Sequence, residues 1–486
     1  MVPRSLILLT LAATSGAAAP LRWFAYDGHG AIRQASESDP TRVSFVDETL
    51  LDGWGKLYVH ADASRQGAHA AGFVEGYLTF AHIYQHYVSW VDAQFGGEPP
   101  YPAVVDFVVK NDAWVRQMIA AHQGGGIWQG MDRLMAQVDG LLAGQNAAAG
   151  STTSMKLSRH DMLLLMASGD IYDIIPAVRP PERVSWGSLS LAEFIQRAHA
   201  RTSCSSLTTF KDGAVRAGHT TWTSYLNMLR IYKHTTWTSG GQIVHQVGFS
   251  ARPGYVYSKD DFYTLPVQNM VVMETTNNIF NNSLYELVKP ESLLIWQRLP
   301  VVNFLAKNGA EWVRLIDTFN SGTYNNQWIV LTLDKATAHG LDDGFLFISE
   351  QIPGEMVAHD VTSVVRELGY WPSFNVPYDA HIFNISGYAE FEKKHGDAVS
   401  YARNPRAKIF RRDAPSARES REALQKVLRS NNFQRDPFSL GDATNAISAR
   451  GDLDKNVSLF GGVDTKVMEY QVAGEAGWTG GAWAQS

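Results

Sequence analysis

The chain has one cysteine, Cys204, in 486 residues. A single thiol excludes an intramolecular disulfide, so stability must come from core size, even in an oxidising compartment that usually favours cross-links. After the N-terminal leader there is no apolar run of about 18 residues, the length a membrane-spanning helix needs. There is no basic excess: the net charge is −6, which argues against nucleic acid as a partner. The GxSxG nucleophile elbow, the HExxH zinc motif and the phosphate-cradling P-loop are all missing. Internal repeats and low-complexity tracts are also absent.

What is present is globular. Hydrophobic residues make up 45% and charged residues 19% of the chain, a length that supports one large core or two domains sharing one. Fourteen tryptophans imply a large aromatic core or an apolar cleft. The N-terminus reads as an export signal over 1–19, with Arg4 as its charge, Leu6–Ala13 as its apolar stretch and Ser15–Ala19 as its small-residue cleavage region. Asn281, Asn384 and Asn456 head Asn-x-Ser triplets and are expected glycosylation sites. A soluble protein of the secretory pathway, lysosomal or extracellular, is the expectation.

Apolar residues at steps of three and four over 66–93 (Phe73, Tyr77, Phe80, Tyr84, Val88, Val91) predict one long amphipathic helix. His82 and His86 stand four apart on it, a spacing that can bind metal. No third ligand stands nearby, which favours two solvated histidines. Helices are also predicted over 131–143, 161–167 and 191–198, and loops over 147–154 and 176–190. After residue 200, strands are predicted over 205–210, 214–221, 242–250, 267–275, 327–334 and 344–350. Helices over 223–233, 300–317, 360–368 and 417–430 interrupt them. A helix-rich part over 20–203 thus precedes an α+β part over 204–486.

A thiol needs activation, because its ordinary pKa is about 8.5. One route makes the cysteine an N-terminus, so that its own α-amine serves as base. The thiol can do this by attacking the Ser203 carbonyl, moving the acyl group from nitrogen to sulfur and letting water release the thioester. Local geometry supports such a role. Asp212-Gly213 signals a two-residue hairpin turn. That turn pairs Lys211 with Ala214 and Ser206 with His219, and it puts Cys204 opposite Thr221. His219 and Cys204 become diagonal neighbours on one face, roughly 7–8 Å apart at the backbone. Trp222 falls on the other face unless the strand ends there. The competing readings are a buried apolar cysteine, a strand histidine and a core tryptophan. Arg403, Arg406, Lys408, Arg411 and Arg412 form a basic cluster that suits solvent, an anionic headgroup or an oxyanion.

Several stretches together resemble the phospholipase B-like family. They are Thr202-Ser203-Cys204-Ser205, the run from Ala217 to Trp222, the run from Tyr225 to Arg230 and Val271-Val272-Met273-Glu274-Thr275-Thr276. The long run from Phe319 to Trp328, Ser373-Phe374-Asn375-Val376-Pro377, Asn404-Pro405-Arg406-Ala407 and Phe460-Gly461-Gly462-Val463-Asp464 follow in order. The resemblance implies an N-terminal-nucleophile hydrolase with an αββα four-layer sandwich, self-cleaved between Ser203 and Cys204 into fragments that stay associated. By position it makes Cys204 the nucleophile, flanked by His219 and Trp222. Thr275, ahead of Thr276, would be a pocket residue, Asn375 an oxyanion donor and Arg406 a cation favouring the thiolate. It implies no metal or organic cofactor. The expected activity is release of fatty acids from phospholipids through a cysteine thioester. The alternatives are an amidase on N-acyl substrates and a catalytically silent lumenal lipid-binding protein.

Overall fold

The computed structural model describes residues 21–122, 124–201, 204–259, 261–455 and 457–472. The expected export signal, Ser203 and Asn456 lie outside the described residues.

The fold is α+β and is organised by two sheets. The larger has eleven strands. Its N-terminal wing is made of Phe24–Tyr26, Ile32–Gln34, Arg42–Glu48 and Trp54–Asp62. The segment before residue 204 is therefore not purely helical. In Trp54–Asp62, Leu57, Val59 and Ala61 are buried in alternation, the period-two signature of a half-buried strand. This strand joins Arg230–Ser239 in parallel, the one parallel pairing between named strands among the described residues. The sheet then runs antiparallel through Gln242–Ala251, Phe262–Leu265, Met270–Thr276, Asn326–Thr332 and Leu346–Ile352 to Glu355–Asp360. The smaller sheet has four strands, ordered Tyr370–Ser373, Ser205–Lys211, Ala214–Ser224 and Phe460–Gln471.

The strands sort their side chains between three apolar zones. On Met270–Thr276, Met270 and Val272 join the core built with the helices Gly126–Ala149 and Ile295–Leu305. Val271 and Met273 point the other way, towards Val215, Ala217 and Trp371 of the small sheet. The small sheet's far side, at Leu207 and Val467, packs on the helices Pro405–Ala417 and Arg421–Leu428.

Several sequence-based boundaries shift. The long helix expected over 66–93 is two helices, Arg65–Leu78 and Phe80–Phe95, broken at Thr79. Val74, Ile83 and Trp90 are buried on them, whereas Val88 is exposed, because the second helix buries the face of Ile83, His86 and Trp90. His82 bonds Asp47 at 2.9 Å while His86 is buried against the Tyr255 ring, so the pair neither converges nor faces water together. Ile171–Val178 is helical despite Pro176. No helix forms over 223–233. The strand Ala214–Ser224 continues past Trp222, a short turn over Tyr225–Asn227 follows, and Arg230–Ser239 is a strand. Its Ile, Tyr, Thr and Trp content favours a pleated surface, and the partner that fixes it lies 176 residues upstream. The helix expected over 417–430 is Arg421–Leu428, and a further helix, Pro405–Ala417, precedes it.

Candidate active site around Cys204

The hairpin has the register that its turn residues dictate. Asp212 and Gly213 both take positive φ, 50° and 73°, as a type I′ turn requires, and Lys211 pairs with Ala214. Ser206 faces His219, and the ladder ends at Ser205 opposite Thr220. Cys204 is outside it. Its φ is 120°, a backbone conformation that costs a residue with a side chain about 1–3 kcal/mol. The chain therefore turns out of the strand at the thiol.

This kink brings together groups from both sheets. Ligand atoms of Cys204, His219 and Glu274 all lie within 4.8 Å of one another, and all three residues are buried. His219 Nε2 stands 4.0 Å from Glu274 Oε1, and its Nδ1 is 3.4 Å from Thr221 Oγ1. Lys466 in turn holds Thr221 and Asp464. Glu274 also has the Tyr324 hydroxyl at 3.3 Å and accepts from Thr276 Oγ1 at 3.2 Å. Burial, with the carboxylates of Asp261 and Glu274 nearby, raises the Tyr324 phenol well above its ordinary pKa, so it stays a neutral donor.

Arg406 is aimed at the same point. Asn404 caps the helix Pro405–Ala417 through a 3.0 Å bond from Ala407 N, which fixes Arg406 in the first turn. Its Nη1 donates to the Cys204 carbonyl at 2.7 Å and reaches Ser205 Oγ at 3.3 Å. Its guanidinium lies 4.5 Å from the Trp222 ring centroid. Burial pulls Arg406 down to about 9, and negative charge on Cys204 would oppose that shift. Trp222 Nε1 donates to Ile447 O at 3.1 Å. Opposite Trp222 and Thr221, the strand Phe460–Gln471 carries a bulge between Gly462 and Asp464, a device that re-aims neighbouring side chains.

Cys204 and Trp222 line a cleft of about 570 Å³, counting its open mouth. Glu274, Thr276, Asn277 and Tyr324 line it too, with Lys259 and Asp173 as its charged residues beside Glu274. Thr275 points to the other side of its strand, where its Oγ1 is 2.5 Å from Ser373 Oγ. Asn375 takes φ 68° and donates Nδ2 to Thr276 O at 2.6 Å. It lines an adjoining cleft with Arg406, and Asn278 lines both clefts. The structure thus gathers Cys204, His219, Trp222 and Arg406, while Thr275 and Asn375 meet each other, with Asn375 N 3.4 Å from Thr275 Oγ1. Of the expected glycosylation sites, Asn384 is exposed, whereas Asn281 is half-buried with its amide nitrogen on Ile385 O.

Two residues escaped the sequence reading. Glu274 lies in a quoted motif, and the alternation that separates it from Thr275 was the usable signal. Asn277 directly follows that motif. Both polar atoms of its side chain are buried without a partner among the described residues, and they line the nucleophile's cleft.

A thiolate, an imidazole and a carboxylate form a donor set that suits zinc. The Arg406 cation beside Cys204 opposes a second cation there, and a nucleophile with a nearby base and an open cleft fits acyl transfer.

The chain is similar to known proteins over most of its length. A family profile described as Phospholipase B matches residues 41–481. Phospholipase B-like 1 of Bos taurus is 37% identical over 435 residues, covering 87% of this chain and 78% of the bovine protein. Phospholipase B-like protein B of Dictyostelium discoideum is 35% identical over 457 residues, covering 90% of this chain and 79% of its relative. Phospholipase B of Crotalus adamanteus is 33% identical over 470 residues, covering 94% and 84%. With Cys204, His219 and Trp222 standing together on the hairpin and the match running through nearly the whole chain, this protein belongs to the phospholipase B family.

Proposed function

We propose that the chain is a phospholipase B-like acyl hydrolase that matures by cutting its own Ser203–Cys204 bond and then uses Cys204 as an N-terminal nucleophile. The observation that carries this reading is the kinked Cys204 with His219 and Glu274 within 4.8 Å, at the wall of an open cleft. The paired sheets with helices on both outer sides are compatible with an αββα sandwich of the N-terminal-nucleophile type. Among the described residues no helix is long and apolar enough to cross a membrane. With the leader-like N-terminus, this supports a lysosomal or secreted location.

Before the cut no free α-amine exists at Cys204, so another base must take the thiol proton. His219, held near Glu274, is placed for it. The thiolate attacks the Ser203 carbonyl carbon, the C–N bond breaks as the nitrogen gains a proton, and a thioester joins Ser203 to Cys204. Water hydrolyses it, leaving a carboxylate on Ser203 and a free amine on Cys204. In the mature enzyme that amine takes the thiol proton, and the thiolate attacks the substrate acyl carbon. The alcohol leaves with a proton, and water releases the fatty acid. Asn277, and Asn375 after a small shift, are the amides available to the oxyanion, and Arg406 supplies positive charge next to the reacting sulfur.

The test is the intact mass and N-terminal sequence of the secreted protein before and after exposure to about pH 5, beside Cys204→Ala. Activity is then measured on a panel of phospholipids and N-acyl amides, with and without dialysis against chelator. The expected result is a new N-terminus at Cys204, two fragments that co-elute on gel filtration and chelator-resistant fatty-acid release, all of it dependent on Cys204. Turnover of amides alone would make the enzyme an amidase. Lipid binding without turnover would make it a carrier. Activity lost on chelation and restored by zinc would overturn the cysteine mechanism.

A further inference from the structure

A second cleft, of about 540 Å³ with its open mouth, lies between the helices Gly126–Ala149 and Ile295–Leu305 and the strands Arg230–Ser239 and Gln242–Ala251. It shares no lining residue with the cleft of Cys204. Its walls are largely hydrocarbon and aromatic, with Trp237, Val247, Phe249 and Phe304 among them. One cation stands in it, Arg133, whose guanidinium lies 3.5 Å from the Phe304 ring centroid and 5.7 Å from that of Trp237. Arg133 has no carboxylate partner and no hydrogen bond among the described residues, since its neighbour Asp132 is taken by Arg65. Burial pulls Arg133 down to about 10, and its close neighbours are the Phe304 and Trp237 rings. Arg133 is half-buried, and a partly desolvated cation without a counter-ion gains from an arriving anion.

A second donor waits in the same cleft. Asn303 is 2% exposed, and its Oδ1 accepts from Trp312 Nε1 at 2.8 Å. That bond fixes the amide, and leaves Asn303 Nδ2 buried with no acceptor. The cleft therefore pairs unused donors, one of them charged, with apolar walls. This is the complement of a single small anion on a hydrocarbon chain.

We propose that this cleft binds a long-chain carboxylate, with the carboxylate on Arg133 and Asn303 and the alkyl chain against Trp237, Val247 and Phe249. A planar guanidinium matches a carboxylate in two parallel hydrogen bonds, and no second cation lines the cleft to favour a doubly charged phosphate. The proposal stands on this cleft alone and does not depend on the chemistry at Cys204.

Calorimetry with laurate, dodecanol and dodecyl phosphate on the full-length protein tests it, alongside Arg133→Met and Arg133→Lys. Laurate should bind the unaltered protein at one site at least about tenfold more tightly than dodecanol or dodecyl phosphate. Arg133→Met should weaken laurate by about tenfold or more and leave dodecanol unchanged, whereas Arg133→Lys should retain most of the affinity. Laurate held elsewhere, including at the nucleophile, would not respond to Arg133→Met, and an unchanged affinity in that variant overturns the proposal. So does equal affinity for laurate and dodecanol in the unaltered protein, a comparison that needs no variant to fold.

Discussion

At the scale of single residues, the site divides into groups that react and groups that prepare them. Glu274 belongs to the second kind. It approaches His219 from the other sheet and has no direct path to the scissile carbonyl in the proposed scheme. Glu274→Gln keeps the shape but removes the charge that favours an imidazolium on His219. Self-cleavage should then slow by about 10²–10⁴-fold, the range for loss of general-base assistance. Gel densitometry of precursor against fragments over time reads this directly. Protein that has already matured should be less affected, because its own amine has become the base. Asn277 should show the opposite pattern. Asn277→Ala removes an uncommitted buried donor and should lower kcat by about 10²–10³-fold with little change in KM. Full maturation with unchanged kcat in Asn277→Ala would return the oxyanion role to Asn375.

At the scale of elements, the helix pair beneath the large sheet rests on missing side chains. A Cβ on Gly144 would come within 1.9 Å of Phe73 O, and one on Gly140 within 2.1 Å of His69 O. From the other helix, Gly72 and Gly76 approach Gln137 O and Leu141 O in the same way. Arg65–Leu78 and Gly126–Ala149 thus touch backbone to backbone, and a methyl group there meets atoms that cannot swing aside. Gly144→Ala should lower unfolding stability by about 1–3 kcal/mol or more. Gly187, with nothing within 4 Å of the same position, is the matched control and should tolerate alanine. Denaturant unfolding of the two variants side by side checks this, and equal midpoints would mean the helices separate more readily than their contacts imply. The Asp212-Gly213 hairpin shows the other side of this scale. Its turn chemistry is local, so its register was legible in the sequence down to the pairing of Ser206 with His219.

At the scale of the whole molecule, the two parts on either side of Cys204 share a sheet. The parallel pairing of Trp54–Asp62 with Arg230–Ser239 crosses the proposed cut, as does the buried ion pair between Glu75 and Lys233. Asp170 reinforces this by accepting from Ile295 N and Thr323 Oγ1. Cleavage at one loop leaves these contacts intact. Buried titratable groups also set the response to acid. Burial depresses His234 to about 4 and His245 to about 3, against an ordinary value near 6.5. Their stabilising contribution is full above about pH 6.5 and is lost as pH falls through those lower values. Burial raises Asp170 to about 6 and Glu350 to about 7. Those two favour the folded state below the ordinary carboxylate range and lose that contribution as pH rises through about 6 and 7. The two pairs pull in opposite directions between pH 5 and 7. Tm should therefore differ by only about 3 °C between these two pH values and fall between about pH 4.5 and 3, where the carboxylates no longer compensate and His245 still gains a proton on unfolding. A calorimetric series from pH 3.5 to 8 measures it, and a steep loss of Tm between pH 7 and 5 would contradict this balance.

What the sequence determined by itself is whatever the chain encodes over short distances. The lone thiol, the Asp-Gly turn, and His219 returned to the face of Ser206 next to Cys204 all follow from composition and from a side-chain period of two. The family motifs brought Trp222 and Arg406 to the same point, and the structure places both beside Cys204. Tertiary structure decided the rest. Glu274 reaches His219 only because a second sheet lies over the hairpin, and no local period records which strand of that sheet will face it. The same limit hid Arg230–Ser239, whose partner strand lies 176 residues earlier, and the break at Thr79 that divides the expected long helix in two. Local propensity selects among elements, but pairing and layering are set by burial summed over distant segments, and that sum exists only in the folded chain.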